Sequence, residues 1–340
     1  MPYTVTSSEQ TTGKAADHET KAMLYLMNFH KNCNDIHFFV VDFFNDITGL
    51  DQLAENAWDV QSKASINLTG KAIGRDLVTL YKNFISDLHF TDFILFVGGI
   101  KTDGLKNVSL KTFNLDNFTD KYIKSIKSGI KEEALKKTYI KEHQITDEII
   151  EDFLNKVTFV INNKSKSEYI KEIIKINSTK IVKDAYLECI FDQIRDIQSS
   201  KKNIQCENIT INILEDFHKY KKHMTSDQIK MLVLSRLVNK DVGDALPPSF
   251  TYMLDGRSDK DRIELQEDCQ HSIKRMMFDK NNAKAYWVLF EDIYMAITKN
   301  PEANVEDIYS MIDKKLIKNV SSLDFNSARY FIALIKDGLG

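Results

Sequence analysis

Proline is nearly missing from this chain, with only Pro2, Pro247, Pro248 and Pro301, and glycine is sparse at twelve residues. The stretch from Ile130 to Val242 contains neither, which favours continuous helix there. Six of the twelve glycines fall between Gly49 and Gly104, where turns between strands need them. Cysteine is as rare. Cys33, Cys189, Cys206 and Cys269 have no paired spacing, which fits reduced thiols and argues against both a disulfide framework and a zinc site. Cys269 and His271 lack further ligands at metal spacing, and the eight histidines form no cluster suggesting a nucleophilic triad. No apolar run approaches the roughly 18 residues needed to cross a bilayer, and Met1 to Lys14 has no signal-peptide core. The expected location is the cytoplasm, with no membrane partner. Gly70-Lys71-Ala72 lacks the loop that precedes a nucleotide-binding lysine, so the chain is not expected to hydrolyse ATP. Arginine accounts for only 7 of 46 basic residues, and the net charge is −3, so there is no global basic signature for nucleic acid.

What is present is a globular composition of 340 residues, with 43% hydrophobic and 28% charged side chains, long enough for two domains. Ala15 to Lys31 carries Ala16, Met23, Leu24 and Met27 on one face, as an amphipathic helix does. Ile36 to Thr48 is rich in Phe, Val and Ile and predicts one or two strands. Ala57 to Ala64 alternates between apolar Trp58 and Val60 and polar Asp59, Gln61 and Lys63, predicting a strand with one polar face. From Gly70, apolar residues from Ile73 to Leu88 step by three and four, predicting a helix. Phe93 to Val97 reads as a buried central strand, and Val108 to Phe113 as a further strand. Behind these lies a helical half with start signals at Thr146 or Asp147, Ser167, Thr225 or Ser226, and Asn304, and a short strand candidate at Val157 to Ile161. The expected division is an α/β domain over 1–115 and a helical domain over 116–340, with a sub-boundary near 243–256 marked by Pro247 and Pro248.

Asp46, Gln61 and Lys63 carry the chemistry. Residues 61 and 63 share one face of a strand, where Asp46 meets them if the strands form a hairpin. A hard cation such as Mg²⁺ or Mn²⁺ takes oxygen ligands, which a carboxylate at Asp46 and an amide carbonyl at Gln61 supply. A lysine beside them orients an attacking water or offsets charge building on a phosphate.

These residues, within Asp46-Ile47-Thr48 and Trp58-Asp59-Val60-Gln61-Ser62-Lys63, resemble the PD-(D/E)xK restriction-endonuclease-like family. The likeness is nearest to the double-stranded-DNA endonuclease domain of bacterial anti-phage effectors, including CD-NTase-associated and Lamassu-type nuclease subunits. It extends from Thr11-Thr12-Gly13-Lys14-Ala15-Ala16, leading into a helix with Glu19, through Gly74-Arg75-Asp76-Leu77 and Phe93 to Val97, covering roughly residues 10 to 115. The resemblance implies an α-β-β-β-α-β core and metal-dependent cleavage of DNA in antiviral defence, with Asp46 and Gln61 on the metal and Lys63 serving the nucleophile. It also implies self-association or partners, an SMC-like ATPase and a small accessory subunit among them. Gln61 stands where the broader fold has an acid, so the site carries fewer formal charges and Glu19 is an additional candidate.

Asp42 and Asp59 are alternative metal carboxylates, and Arg75 is either a phosphate contact or a surface ion pair. A catalytically silent nuclease-like scaffold and an RNase on the same fold are the competing functions. Tyr286 to Phe290 and Tyr330 to Ile332 are expected to be core, with a partner surface as the alternative. Residues 1–110 carry a net charge of −4, so a nuclease half built from them would delegate capture of DNA to an assembly or partner.

Overall fold

The computed structural model describes residues 3–5, 13–175, 182–206, 208–239, 246–279, 283–320 and 322–339. Thr11, Thr12 and Gly243, which entered the expectations above, lie outside them. The chain forms two compact units, Met1–Ser165 with Asp192–Ser226, and Lys166–Phe191 with Asp227–Gly340.

The first unit opens with β1 (Tyr3–Thr4), α1 (Gly13–Asn28), β2 (Phe38–Val41), β3 (Ile47–Leu50) and β4 (Ala57–Lys63). It continues through α2 (Gly70–Asp76), α3 (Val78–Phe84), β5 (Asp92–Val97), β6 (Thr112–Phe113), α4 (Asp120–Ala134), α5 (Asp147–Asn155) and β7 (Val157–Ile161). Helix α6 (Lys166–Ile174) and the start of α7 (Asp184–Lys202) belong to the second unit, and the first resumes with the rest of α7, β8 (Thr210–Ile211) and β9 (His223–Thr225). Among the described residues seven strands form one mixed sheet in the order β6-β7-β5-β4-β3-β2-β9, and β1 pairs with β8. The strands β2, β3 and β4 form an antiparallel meander, and β4, β5 and β7 run parallel. Parallel neighbours need a crossover, which α2 and α3 provide between β4 and β5, and α4 and α5 between β5 and β7.

The expected order of helix, three strands, helix and strand is present, but the sheet does not end at residue 115. Strand β7 lies beside β5, and β9 beside β2, so a boundary there would cut the sheet. The stretch without proline or glycine is likewise interrupted by β7, β8 and β9. Lack of helix breakers permits a helix but does not impose one, and the β-branched run Val157-Thr158-Phe159-Val160-Ile161 favours a strand between two neighbours. Only Thr112 and Phe113 of the expected strand at 108–113 are in the sheet. The helix expected from Gly70 runs through α2 and α3, where Leu77 at the joint keeps both i to i−4 bonds, to Ile73 and from Tyr81.

Strand β4 alternates in sequence but is buried from Ala57 to Ser62, because helices cover both faces of the central sheet. Its polar face is therefore an internal one. On that side α2 and α4 cross at Gly74 and Gly129: a Cβ at Gly74 would stand 2.2 Å from the Ile126 carbonyl oxygen, and one at Gly129 2.4 Å from that of Lys71. Only glycine allows backbones this close.

The second unit is helical among its described residues, adding α8 (Ser226–Leu237), α9 (Asp259–Phe278), α10 (Ala283–Lys299), α11 (Val305–Met311), α12 (Lys314–Asn319) and α13 (Phe325–Leu339). Asn304 caps α11 by accepting from the Asp307 amide, as expected, and Thr146 caps α5 in the first unit. Ser167, expected as a start signal, is the second residue of α6 and is buried. Helix α13 is buried continuously from Ser327 to Ile335, the mark of a central helix. Tyr286 and Trp287 of α10 and Tyr330 and Phe331 of α13 are core side chains, with the Tyr286 and Phe331 rings stacked at 5.2 Å. Among the described residues no helix is long and apolar enough to cross a membrane.

Candidate functional site

The ladder between β3 and β4 decides which side chains meet. Ile47 pairs with Val60, so Asp46, one residue before β3, lies across from Gln61. Asp46 Oδ2 accepts from Gln61 Nε2 at 2.7 Å and from the Ser62 amide at 2.8 Å. The hairpin thus brings together Asp46 and Gln61, and Lys63 follows on the same face of β4, partly exposed at its end. Lys63 also pulls the Asp46 carboxyl toward its charged form.

The far end of the Gln61 amide is anchored too, because Thr79 of α3 donates to its carbonyl oxygen. In this arrangement Gln61 orients Asp46 and turns its own oxygen away. A half-turn of the amide would present that oxygen beside Asp46, and the Thr79 hydroxyl could then accept from the nitrogen. Ser62, on the opposite face, is held by His18 of α1, whose Nδ1 lies 2.9 Å from the Ser62 Oγ. Burial, with Lys21 and Lys14 nearby, lowers the His18 imidazole to about 4, so it is neutral at pH 7.

Glu19, the next residue of α1, is 6% exposed. Its carboxyl is pushed up to about 7, first by burial and then by repulsion from Asp46, against the attraction of Lys202. Lys202, from the last turn of α7, forms an ion pair with it. Asp46 is raised by burial, opposed by the Ser62 amide, Lys63 and Lys202, while Asp42 adds to the rise. A buried carboxyl raised by a neighbouring carboxylate marks a place where a cation is favourable.

The alternative acids have structural partners. Asp42 adopts a left-handed backbone (φ 51°), and the buried Lys222 donates to both its carbonyl, at 2.8 Å, and its carboxylate, at 3.2 Å. Asp59 is fully enclosed and accepts from Asn83 at 2.6 Å, Thr48 at 2.9 Å and Asn45 at 3.4 Å. Tyr3 extends this network by donating to Asn83 Oδ1 at 2.8 Å. Arg75 pairs with Glu132 of α4 at 2.8 Å, which accounts for it as an ion pair of the helix crossing. Among the described residues no three His, Cys, Asp or Glu side chains gather as a metal-holding group.

A cation here would therefore draw on Asp46, Glu19 and the amide oxygen of Gln61. That donor set fits Mg²⁺, which commonly takes one or two carboxylates and leaves other positions to water and substrate phosphate. Thr79, Ser62, His18, Lys202 and Lys222 went unseen in the sequence. Thr79 and Asn83, four apart on α3, both face the polar side of β4, a pattern that a search for side chains opposite that strand could have found. Lys202 stands in a lysine-rich stretch that has no distinguishing signal. No protein-family model, curated protein or solved structure matches this chain.

Proposed function

We propose that the chain is a metal-dependent DNA endonuclease of the restriction-endonuclease-like class, acting as an effector of antiviral defence. The observation that carries it is the Asp46–Gln61 hydrogen bond at the mouth of the β3–β4 hairpin, with Lys63 beside it and Glu19 electrostatically linked to Asp46. Resemblance supplied the residue types, and the fold gives them a common end of the sheet.

In this assignment Asp46 and Glu19 hold the cation, and Gln61 fixes the Asp46 carboxylate while its own oxygen remains available by an amide turn. Bound Mg²⁺ or Mn²⁺ supplies Lewis acidity and a more acidic water. Lys63 orients the attacking water and offsets negative charge as its oxygen bonds to phosphorus in line with the leaving oxygen. The attacking water gives up a proton to solvent, the bond from phosphorus to the leaving oxygen breaks, and that oxygen takes up a proton from solvent. Thr79 and Ser62 keep the donors in place, since misplacement by about 1 Å can cost roughly 100-fold in rate. The net charge of −4 over residues 1–110 supports delegation of DNA capture to a homo-oligomer or to partners such as an SMC-like ATPase and an accessory subunit.

The test is cleavage of supercoiled plasmid by the full chain with Mg²⁺ or Mn²⁺, beside Lys63→Ala, in the presence and absence of candidate partners. Wild type should nick or linearise DNA, and Lys63→Ala should lose 100-fold or more, about the scale of one charge-stabilising group. Equal, negligible cutting by both would refute the nuclease, and cutting of RNA alone would replace DNA as the substrate. Full-rate cutting by a monomer would refute dependence on assembly.

A further inference from the structure

Three carboxylates, Glu19, Asp42 and Asp46, are linked electrostatically at one end of the sheet, and three ammonium groups, Lys63, Lys202 and Lys222, act on them. The three lysines are not equivalent. Lys222 is 3% exposed and tied to the backbone of Asp42, as a structural cation is. Lys63 sits on the strand and acts on Asp46. Lys202 reaches from the last turn of α7 to the buried carboxylate of Glu19 and attracts Asp46 as well. One ammonium thus acts on both carboxylates assigned above to the cation.

Resting on that assignment, we infer that Lys202 is an internal stand-in for the metal, which a divalent cation must displace from Glu19 before it can bind. A lysine ammonium is a compact point charge on a long stem, suited to compensating two buried carboxylates and to swinging out toward solvent. A divalent ion between Glu19 and Asp46 supplies twice the charge, and the ammonium left beside it would be repelled. Lys202 therefore keeps the acids compensated in the resting protein and raises the cation concentration needed to load the site.

Two measurements on the full chain test this. Mg²⁺ binding is followed by calorimetry at pH 8.5, where Glu19 is ionised in the wild type, for wild type, Lys202→Met and Lys202→Gln. The apparent Kd should fall at least tenfold in both variants. Separately, acetylation of lysine amines in the wild type is read by mass spectrometry with and without Mg²⁺, and labelling of Lys202 should rise severalfold on loading while that of the buried Lys222 stays low. The labelling needs no variant, so it decides even where a substitution fails to fold. Unchanged or weaker binding in folded variants, or constant Lys202 labelling in wild type that binds Mg²⁺, would overturn the displacement and leave the metal assignment standing. If neither wild type nor variants bind Mg²⁺ at millimolar concentration, the metal assignment itself is refuted, and displacement with it.

Discussion

Replacing Asp59 by Asn should change how the first unit's stability depends on pH, in a direction opposite to that of an ordinary carboxylate. Asp59 is pushed up to about 7, chiefly by burial, with hydrogen bonds from Asn83, Thr48 and Asn45 opposing the rise and Asp46 adding to it. Unfolded, it titrates near its ordinary 3.8. Between these values the folded chain holds a proton that the unfolded chain has released, so stability falls as pH rises through that window. At about 1.4 kcal/mol per pH unit, a carboxyl moved from 3.8 to about 7 loses about 4 kcal/mol, complete above pH 7 and absent below pH 4. Asn keeps the shape without the charge. Its carbonyl can accept from Asn83 and Asn45, and the Thr48 hydroxyl can turn to accept from its nitrogen. The assay is urea unfolding followed by tryptophan fluorescence in a Trp287→Phe background, where Trp58, buried beside Asp59, is the sole reporter. The stability of Asp59→Asn minus that of the parent should rise by about 3–4 kcal/mol between pH 4 and 7. Lys82, lowered to about 8 by burial and held up in part by Asp59, titrates above that range. Glu19 is common to both chains and cancels in the difference. Parallel curves would refute the buried, proton-holding Asp59.

Thr79→Val should leave the Gln61 carbonyl oxygen without its donor and cost about 1–3 kcal/mol by the same Trp58 readout. Gly74→Ala should lower the first unit's urea midpoint by the equivalent of about 1–3 kcal/mol, since the new Cβ meets the Ile126 carbonyl at 2.2 Å. Wild-type stability there would mean that α2 and α4 do not cross at the glycines. In the second unit, the Arg329 guanidinium donates to both Glu306 oxygens, at 2.6 and 2.7 Å, and lies over the rings of Phe325 and Tyr309. Arg329→Lys loses the fork and the stacking together, and thermal unfolding monitored at Trp287 should show a loss of about 1–2 kcal/mol.

Local pattern made much of the first unit legible. The apolar run at 93–97, the periodicity after Gly70 and the alternation at 57–64 each report a backbone state, and each appears as a strand or helix. What alternation does not report is burial on the other side. The same two-residue period describes a polar face open to water and one roofed by α3, so the alternation does not reveal that Asp59 and Gln61 are enclosed. The meeting of Asp46 with Gln61 was legible because a hairpin makes it local. Long-range partners were not: β9, Lys202 and Lys222 reach the first unit after the chain has passed through α6, and nothing near them in sequence states their destination.

That late return also shapes how the protein emerges from the ribosome. Strand β2, Phe38-Phe39-Val40-Val41, receives its outer neighbour only when His223–Thr225 has been made, after a first visit to the second unit. Until then the growing chain carries an aromatic and β-branched edge with open amide and carbonyl groups, the kind of edge that recruits other strands. Completion of the sheet is consequently tied to translation past residue 225, and a pause before that point leaves a nascent chain suited to chaperone capture or aggregation.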